Sequence, residues 1–262
     1  MNRPGSKNFR CGILLLAGLF MAACEFNPAK SETPEATSKP ANNHLAEIYT
    51  QLGIEYMNNG QNEVAMKKLQ RALEIDSNYA LAHNAMGLLD ARLGENEKAL
   101  ASFKRALDIS PNDPNILNNY GLFLCRAGKA AEGQEQFALA LKNPLYQNPE
   151  IAYTNAGICA EQQKDPAGAE VFLRQALEHD PKMAVALLEM AKVSLQQEKY
   201  LPARGYLERY SSEAPHTAQS LWLGVQIERK LGNKDAAGSY AVTLKGKYPD
   251  SPEARQLQES GE

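Results

Sequence analysis

Small and large apolar residues recur along this chain in columns that repeat every 34 positions. Counted from Ala46, six segments align: 46–79, 80–113, 114–147, 150–183, 184–217 and 218–251, with two residues inserted after the third. The eighth column reads Gly53, Gly87, Gly121, Gly157, Ala191, Val225, and the twentieth reads Ala65, Ala99, Gly133, Ala169, Ala203, Ala237. Both are small, as two closely crossing helices require. The twenty-fourth is large in Leu69, Phe103, Phe137, Leu173 and Leu207 but not in Ala241, and the twenty-seventh is mostly alanine (Ala72, Ala106, Ala140, Ala176), so that these columns fill the space the small ones leave. Gly60, Gly94, Gly128 and Gly232 fall at the fifteenth column, where a turn with positive φ favours glycine. Pro111, Pro181, Pro215 and Pro249 close their segments, since proline cannot continue a helix. The pattern predicts six helix–turn–helix pairs.

A 34-residue period with these small, aromatic and proline positions resembles the tetratricopeptide repeat. The resemblance implies an all-α fold, a right-handed superhelical α-solenoid of six repeats over 46–251 that serves as a scaffold for another protein. Departures concentrate in the last two repeats, whose eighth column is Ala191 and then Val225. The polar tail, 252–262, suits the outer face of a terminal repeat and is expected to add a short capping turn.

The first 23 residues read as an export signal: Arg3, Lys7 and Arg10 precede an apolar run of about 13 residues, short of the roughly 20 that span a bilayer. The run ends Met21-Ala22-Ala23-Cys24, which resembles a lipobox with Met21 where the pattern prefers leucine. Cys24 is then expected to carry lipid and to tether the chain to a membrane, several acyl chains being enough for stable anchoring. In the lipoproteins that this segment resembles, Glu rather than Asp after the cysteine, as in Glu25 here, favours onward sorting to the outer membrane. Residues 24–45, with three prolines, several Ser and Thr and almost nothing apolar, are predicted to be a flexible linker.

Composition narrows the function. With 44% hydrophobic residues the chain can bury a core, and a net charge of −3 gives no cationic excess for nucleic acid. The four histidines (His44, His83, His179, His216) have no partners at metal-ligand spacing, and no nucleophile elbow, phosphate loop or dinucleotide fingerprint is present. No enzyme activity, metal, cofactor or small-molecule substrate is predicted. Cys125 and Cys159 fall on neighbouring first helices; in an oxidising compartment they can bridge, the alternative being two buried free thiols.

In such solenoids the first helices line the concave face. Their ninth column reads Ile54, Leu88, Leu122, Ile158 and then Lys192 and Gln226, an apolar ladder through four repeats. Exposed apolar strips mark interaction sites. Beside it stand Asn84, Asn118, Asn119, Thr154 and Asn155, whose polar groups suit the backbone of an extended protein ligand; solvation, or bonding between helices, is the alternative use. Basic residues that would clamp a terminal carboxylate do not recur with these asparagines. Binding is therefore expected in the first four repeats, with the last two completing the stack.

The runs N-N-Y-G-L-F-L-C (118–125), A-L-K-N-P-L-Y (140–146) and P-E-I-A-Y-T-N-A-G-I-C (149–159), together with the lipobox, resemble the type IV pilus pilotin lipoproteins, the PilF/PilW family. That resemblance implies a lipid-anchored protein on the periplasmic face of the outer membrane. Its partner would be the pilus secretin subunit, whose localisation and multimerisation it promotes in pilus biogenesis and twitching motility. A periplasmic adaptor for cell-wall hydrolases or outer-membrane protein assembly would use the same scaffold.

Overall fold

The computed structural model describes residues 39–260, so the predicted signal segment, Cys24 and most of the predicted linker lie outside the described residues. The described residues form thirteen helices and no strand. They pair as hairpins: α1 (Lys39–Asn58) with α2 (Asn62–Ile75), α3 (Ala80–Arg92) with α4 (Asn96–Ile109), α5 (Pro114–Arg126) with α6 (Ala130–Leu141), α7 (Pro149–Gln162) with α8 (Pro166–His179), α9 (Ala184–Gln196) with α10 (Tyr200–Glu213), and α11 (Ala218–Lys230) with α12 (Lys234–Lys247). A last helix, α13 (Pro252–Glu259), follows.

First helices of successive hairpins pack directly, α1 on α3, α3 on α5 and so on to α11 on α13, whereas among the described residues the backbones of second helices do not approach one another as closely. The stack is therefore a solenoid with the first helices on its closer-packed side. The eighth column explains the tightness of each hairpin. A Cβ on Gly53 would stand 2.6 Å from Leu69 Cδ2, one on Gly121 2.8 Å from the Phe137 ring, and one on Gly157 2.7 Å from Leu173.

The irregular last repeat obeys the same rule with the sizes exchanged. Val225 and Ala241 occupy the eighth and twenty-fourth columns and are packed in one cluster with Leu221 and Leu244. The larger side chain has moved to the first helix and the smaller to the second. The close glycine has shifted by one position to Gly224, whose missing Cβ would stand 2.8 Å from the Tyr240 ring. Nearby, the His216 ring lies edge-on to Tyr240, with centroids 5.7 Å apart, and its Nδ1 is 3.1 Å from Ser220 Oγ.

Turn chemistry also differs between hairpins. Gly60, Gly94, Gly128 and Gly232 have φ of 74–79°, and the same column in the fourth and fifth repeats holds Lys164 and Glu198 at φ 61° and 60°. These two side chains sit in the left-handed region because the hairpin geometry demands it.

Two boundaries depart from expectation. Helix α1 begins at Lys39, taking in residues assigned to the linker up to 45. The polar tail folds into α13, capped by the Ser251 hydroxyl, which accepts from the Ala254 amide at 3.1 Å, and carries Ala254 and Leu257 fully buried on the end of the stack. Two apolar residues three apart are enough to seat one face of an eight-residue helix.

Candidate functional site

The four side chains of the apolar ladder are all half-buried rather than free. Ile54 and Leu88 pack on the cluster of Met57, Leu69 and Leu89, and Leu122 on the cluster built from Phe137 and the two inner cysteines. Their rows do not contribute equally. Leu88 and Leu122 line a cavity of about 380 Å³ opened between α1, α3 and α5 at the start of α4; Ile54 and Ile158 do not. The remaining apolar lining is Met57, Ala91, Phe103, Phe123 and Ala127. Arg92 and Arg126 join it, with the amides of Asn58, Asn96 and Asn119.

The asparagines are placed differently from the expectation that they grip a ligand. Asn84 and Asn118 are buried, and Thr154 is 2% exposed. Asn119 Nδ2 donates to Asn84 Oδ1 at 3.3 Å, and Asn155 Nδ2 donates to Asn118 Oδ1 at 2.9 Å. Thr154 Oγ1 donates to the Glu150 carbonyl at 2.7 Å, one turn back along its own helix. The fifth and sixth columns face the adjacent first helix, so these amides meet each other before they meet solvent. They form a polar seam from α3 to α5 to α7, and only Asn119 also reaches the cavity. Leaving such amides unpaired would cost about 1–3 kcal/mol each, so the seam fixes the register between repeats.

The joint between the third and fourth repeats, where two residues are inserted, is fastened further. Cys125 and Cys159 form a disulfide with Cα atoms 5.7 Å apart, and Gln134 Nε2 donates to the Ala156 carbonyl at 2.9 Å. The bridge explains an anomaly in the twentieth column. Gly133 replaces the alanine found in the other five repeats, and a Cβ there would stand 2.7 Å from Cys125 Sγ and 2.8 Å from the Gly121 carbonyl oxygen. Sulfur occupies the space that alanine fills elsewhere.

In the fifth repeat the ladder is replaced by charge. Lys192 Nζ bonds both oxygens of Glu189 at 2.9 and 3.0 Å, and burial pushes the Glu189 carboxyl above the usual carboxylate range. In the sixth, Trp222 faces a second cavity with Gln226, and the Arg229 guanidinium stands 5.7 Å from the Trp222 ring centre. The histidines are used structurally: His179 stacks on Tyr153, and His83 Nε2 is 3.0 Å from the Ser77 carbonyl. Among the described residues no three His, Cys, Asp or Glu side chains converge, and no helix is long and apolar enough to cross a membrane.

Met57, Ala91, Arg92 and Arg126 belong to the twelfth and thirteenth columns, which face the concave side in this fold. The repeat spacing carries the signal for these residues.

Comparison with known proteins agrees with this architecture. A tetratricopeptide-repeat model matches residues 160–226 and a second repeat model residues 53–94 and 89–128. The crystal structure of PilW, described as a widely conserved type IV pilus biogenesis factor, superposes with a TM-score of 0.75 at 34% identity, over 81% of this chain and 98% of that one. The chain belongs to the PilF/PilW family. Within that family, the solved Pseudomonas aeruginosa PilF gives a TM-score of 0.74 at 30% identity, over 84% of this chain and 99% of that one. By sequence, the type IV pilus assembly protein PilF of Pseudomonas aeruginosa PAO1 is 29% identical over 253 residues, 95% of this chain and 98% of PilF. PilF/PilW membership places the cavity of α1, α3 and α5 in a family of type IV pilus proteins built on a repeat scaffold.

Proposed function

We propose that this chain is a lipid-tethered scaffold of type IV pilus biogenesis. In this reading it captures the secretin subunit in the cavity between α1, α3 and α5 and promotes its outer-membrane localisation and multimerisation. The observation that carries the reading is the pairing of PilF/PilW membership with an apolar cavity floored by Leu88 and Leu122. An exposed apolar concavity of this kind suits a protein segment that would otherwise aggregate, since burying its apolar side chains is worth about 25 cal/mol per Å² removed from water. Lipid on Cys24 would supply location, and the cavity selectivity. The repeats act by binding, with no chemical step assigned to them.

The test is co-purification of the secretin subunit with the full chain from detergent-solubilised outer membrane, with a photocrosslinker at Leu122. Capture and crosslinking are expected in the wild type, and loss of both in Leu88→Asp/Leu122→Asp at an unchanged melting temperature. A well-folded double variant that still captures the secretin removes the cavity from the mechanism. Cys24→Ala is expected to leave binding in solution unchanged and to mislocalise the secretin ring; correct placement of the ring would defeat the delivery step.

A further inference from the structure

The cavity that binds apolar side chains in the reading above is also electrostatically one-sided. Its lining holds two arginines, Arg92 and Arg126, and no aspartate or glutamate, in a chain whose net charge is −3. Both side chains are exposed and stand one repeat apart, at the same column of α3 and α5. Their surroundings leave most of their donors unused. Arg92 spends one N–H on the Met57 carbonyl, and among the described residues Arg126 makes no hydrogen bond or ion pair. An apolar floor bordered by two cations complements a ligand that carries both apolar and acidic side chains.

Spacing selects the form of that ligand. Touching helices lie roughly 8–10 Å apart, and the contact with Met57 keeps Arg92 on its own side of the cavity. A single terminal carboxylate supplies one negative charge to two guanidiniums. Two acidic side chains two or four residues apart share one face of an extended segment and, at roughly 3.3 Å per residue, reach both. We infer that the cavity recognises an internal acidic–apolar segment of a partner protein, its apolar side chains on Leu88 and Leu122 and its two carboxylates on Arg92 and Arg126. The inference rests on the same cavity as the proposed function and adds the chemistry of the segment bound.

A random dodecapeptide library displayed on phage, selected against the detergent-solubilised full chain, tests this without presuming the partner. Selection should enrich peptides with two Asp or Glu residues within about four positions, beside apolar ones. Fluorescence anisotropy on one enriched peptide should show about tenfold weaker binding in Arg92→Glu/Arg126→Glu and several-fold weakening between about 0.05 and 0.5 M NaCl. Arg126→Glu alone breaks no contact within the fold, so its melting curve should be unchanged while binding falls. Enrichment without acidic residues, or binding indifferent to Arg126→Glu and to salt, overturns the inference. The same variants separate it from the reading it rests on. Secretin capture lost in Leu88→Asp/Leu122→Asp but unchanged in the arginine reversal defeats the acidic recognition alone. Capture unchanged in both defeats the proposed function, and the peptide selection then decides the inference by itself.

Discussion

Replacing Gly133 by alanine sets two rules against each other. Alanine is the residue found at this column in the other five repeats, and in a helix interior it is favoured over glycine by about 1 kcal/mol. A reading from the repeat pattern alone expects Gly133→Ala to stabilise. The structure says the reverse. The new Cβ would stand 2.7 Å from Cys125 Sγ and 2.8 Å from the Gly121 carbonyl oxygen, about 1 Å inside ordinary contact, where a carbon prefers neighbours at roughly 3.5–4.0 Å. The sulfur cannot rotate away because it is bonded to Cys159, and the carbonyl belongs to helix backbone. Overpacking of this kind costs typically about 1–3 kcal/mol; set against the propensity gain, the expected net loss is about 1 kcal/mol. Urea titration of the oxidised protein measures it. In a Cys125→Ala/Cys159→Ala background the sulfur contact is gone and the backbone contact remains, so the penalty should shrink, giving a coupling of about 1 kcal/mol between the sites. Neutral or stabilising behaviour of Gly133→Ala in the oxidised protein would refute the claim that sulfur displaces the side chain at this column.

Other expectations follow from individual contacts. Lys164→Gly and Glu198→Gly, at φ 61° and 60°, should each raise stability by up to about 1 kcal/mol in a denaturant titration, because a left-handed non-glycine residue costs about 1–2 kcal/mol and glycine's unfolded-state entropy returns part of it. Ala241→Leu should destabilise the last repeat, and adding Val225→Gly should recover most of the loss by restoring the size pattern of the other hairpins; a melting-temperature series over the four variants checks the coupling. Burial among Tyr210, Tyr240 and the Tyr248 side of the last repeat, reinforced by the Lys247 charge, lowers the His216 pKa from its ordinary 6.5. The unfolded chain therefore takes up this proton first as pH falls. The histidine's contribution is complete above pH 6.5 and is lost as pH drops through the lower folded value. His216→Gln should flatten the fall in melting temperature below pH 6.5, and an unchanged slope would contradict the assignment.

The repeat was legible because it is written in sizes: Gly53 against Leu69 or Gly157 against Leu173 is a steric statement that survives without coordinates. The same currency misled in the last repeat, where Val225 and Ala241 look like two irregularities when read one column at a time and are a single exchange when read together. Which of their two uses the asparagines serve stayed open for a different reason. An amide on a first helix can serve a ligand or the next helix, and the choice depends on a crossing geometry that spacing does not contain; Asn118 and Asn155, 37 residues apart, meet only in the folded stack. The cavity was half-read. Leu88 and Leu122 follow from apolar periodicity, whereas Arg92 and Arg126 are exposed charges of a kind that most helices carry, and only the shared hollow singles them out. The tail's capping role is legible in its polarity, whereas the full length of α13 is not, because eight residues with two apolar positions give too short a period to recognise.

That small helix has a consequence for assembly. A stack of repeats exposes at each end a face shaped to receive another repeat, so copies of such a chain can in principle add head to tail without limit, as any open-ended contact allows. Here Ala254 and Leu257 already occupy the terminal apolar surface beside Leu221 and Leu244, and Arg229 reaches across to the Ser260 hydroxyl at 3.1 Å. A second copy arriving at that end finds glutamine, arginine and glutamate in place of an apolar seat. Among the described residues, head-to-tail addition of a second copy therefore has no apolar acceptor face at that end.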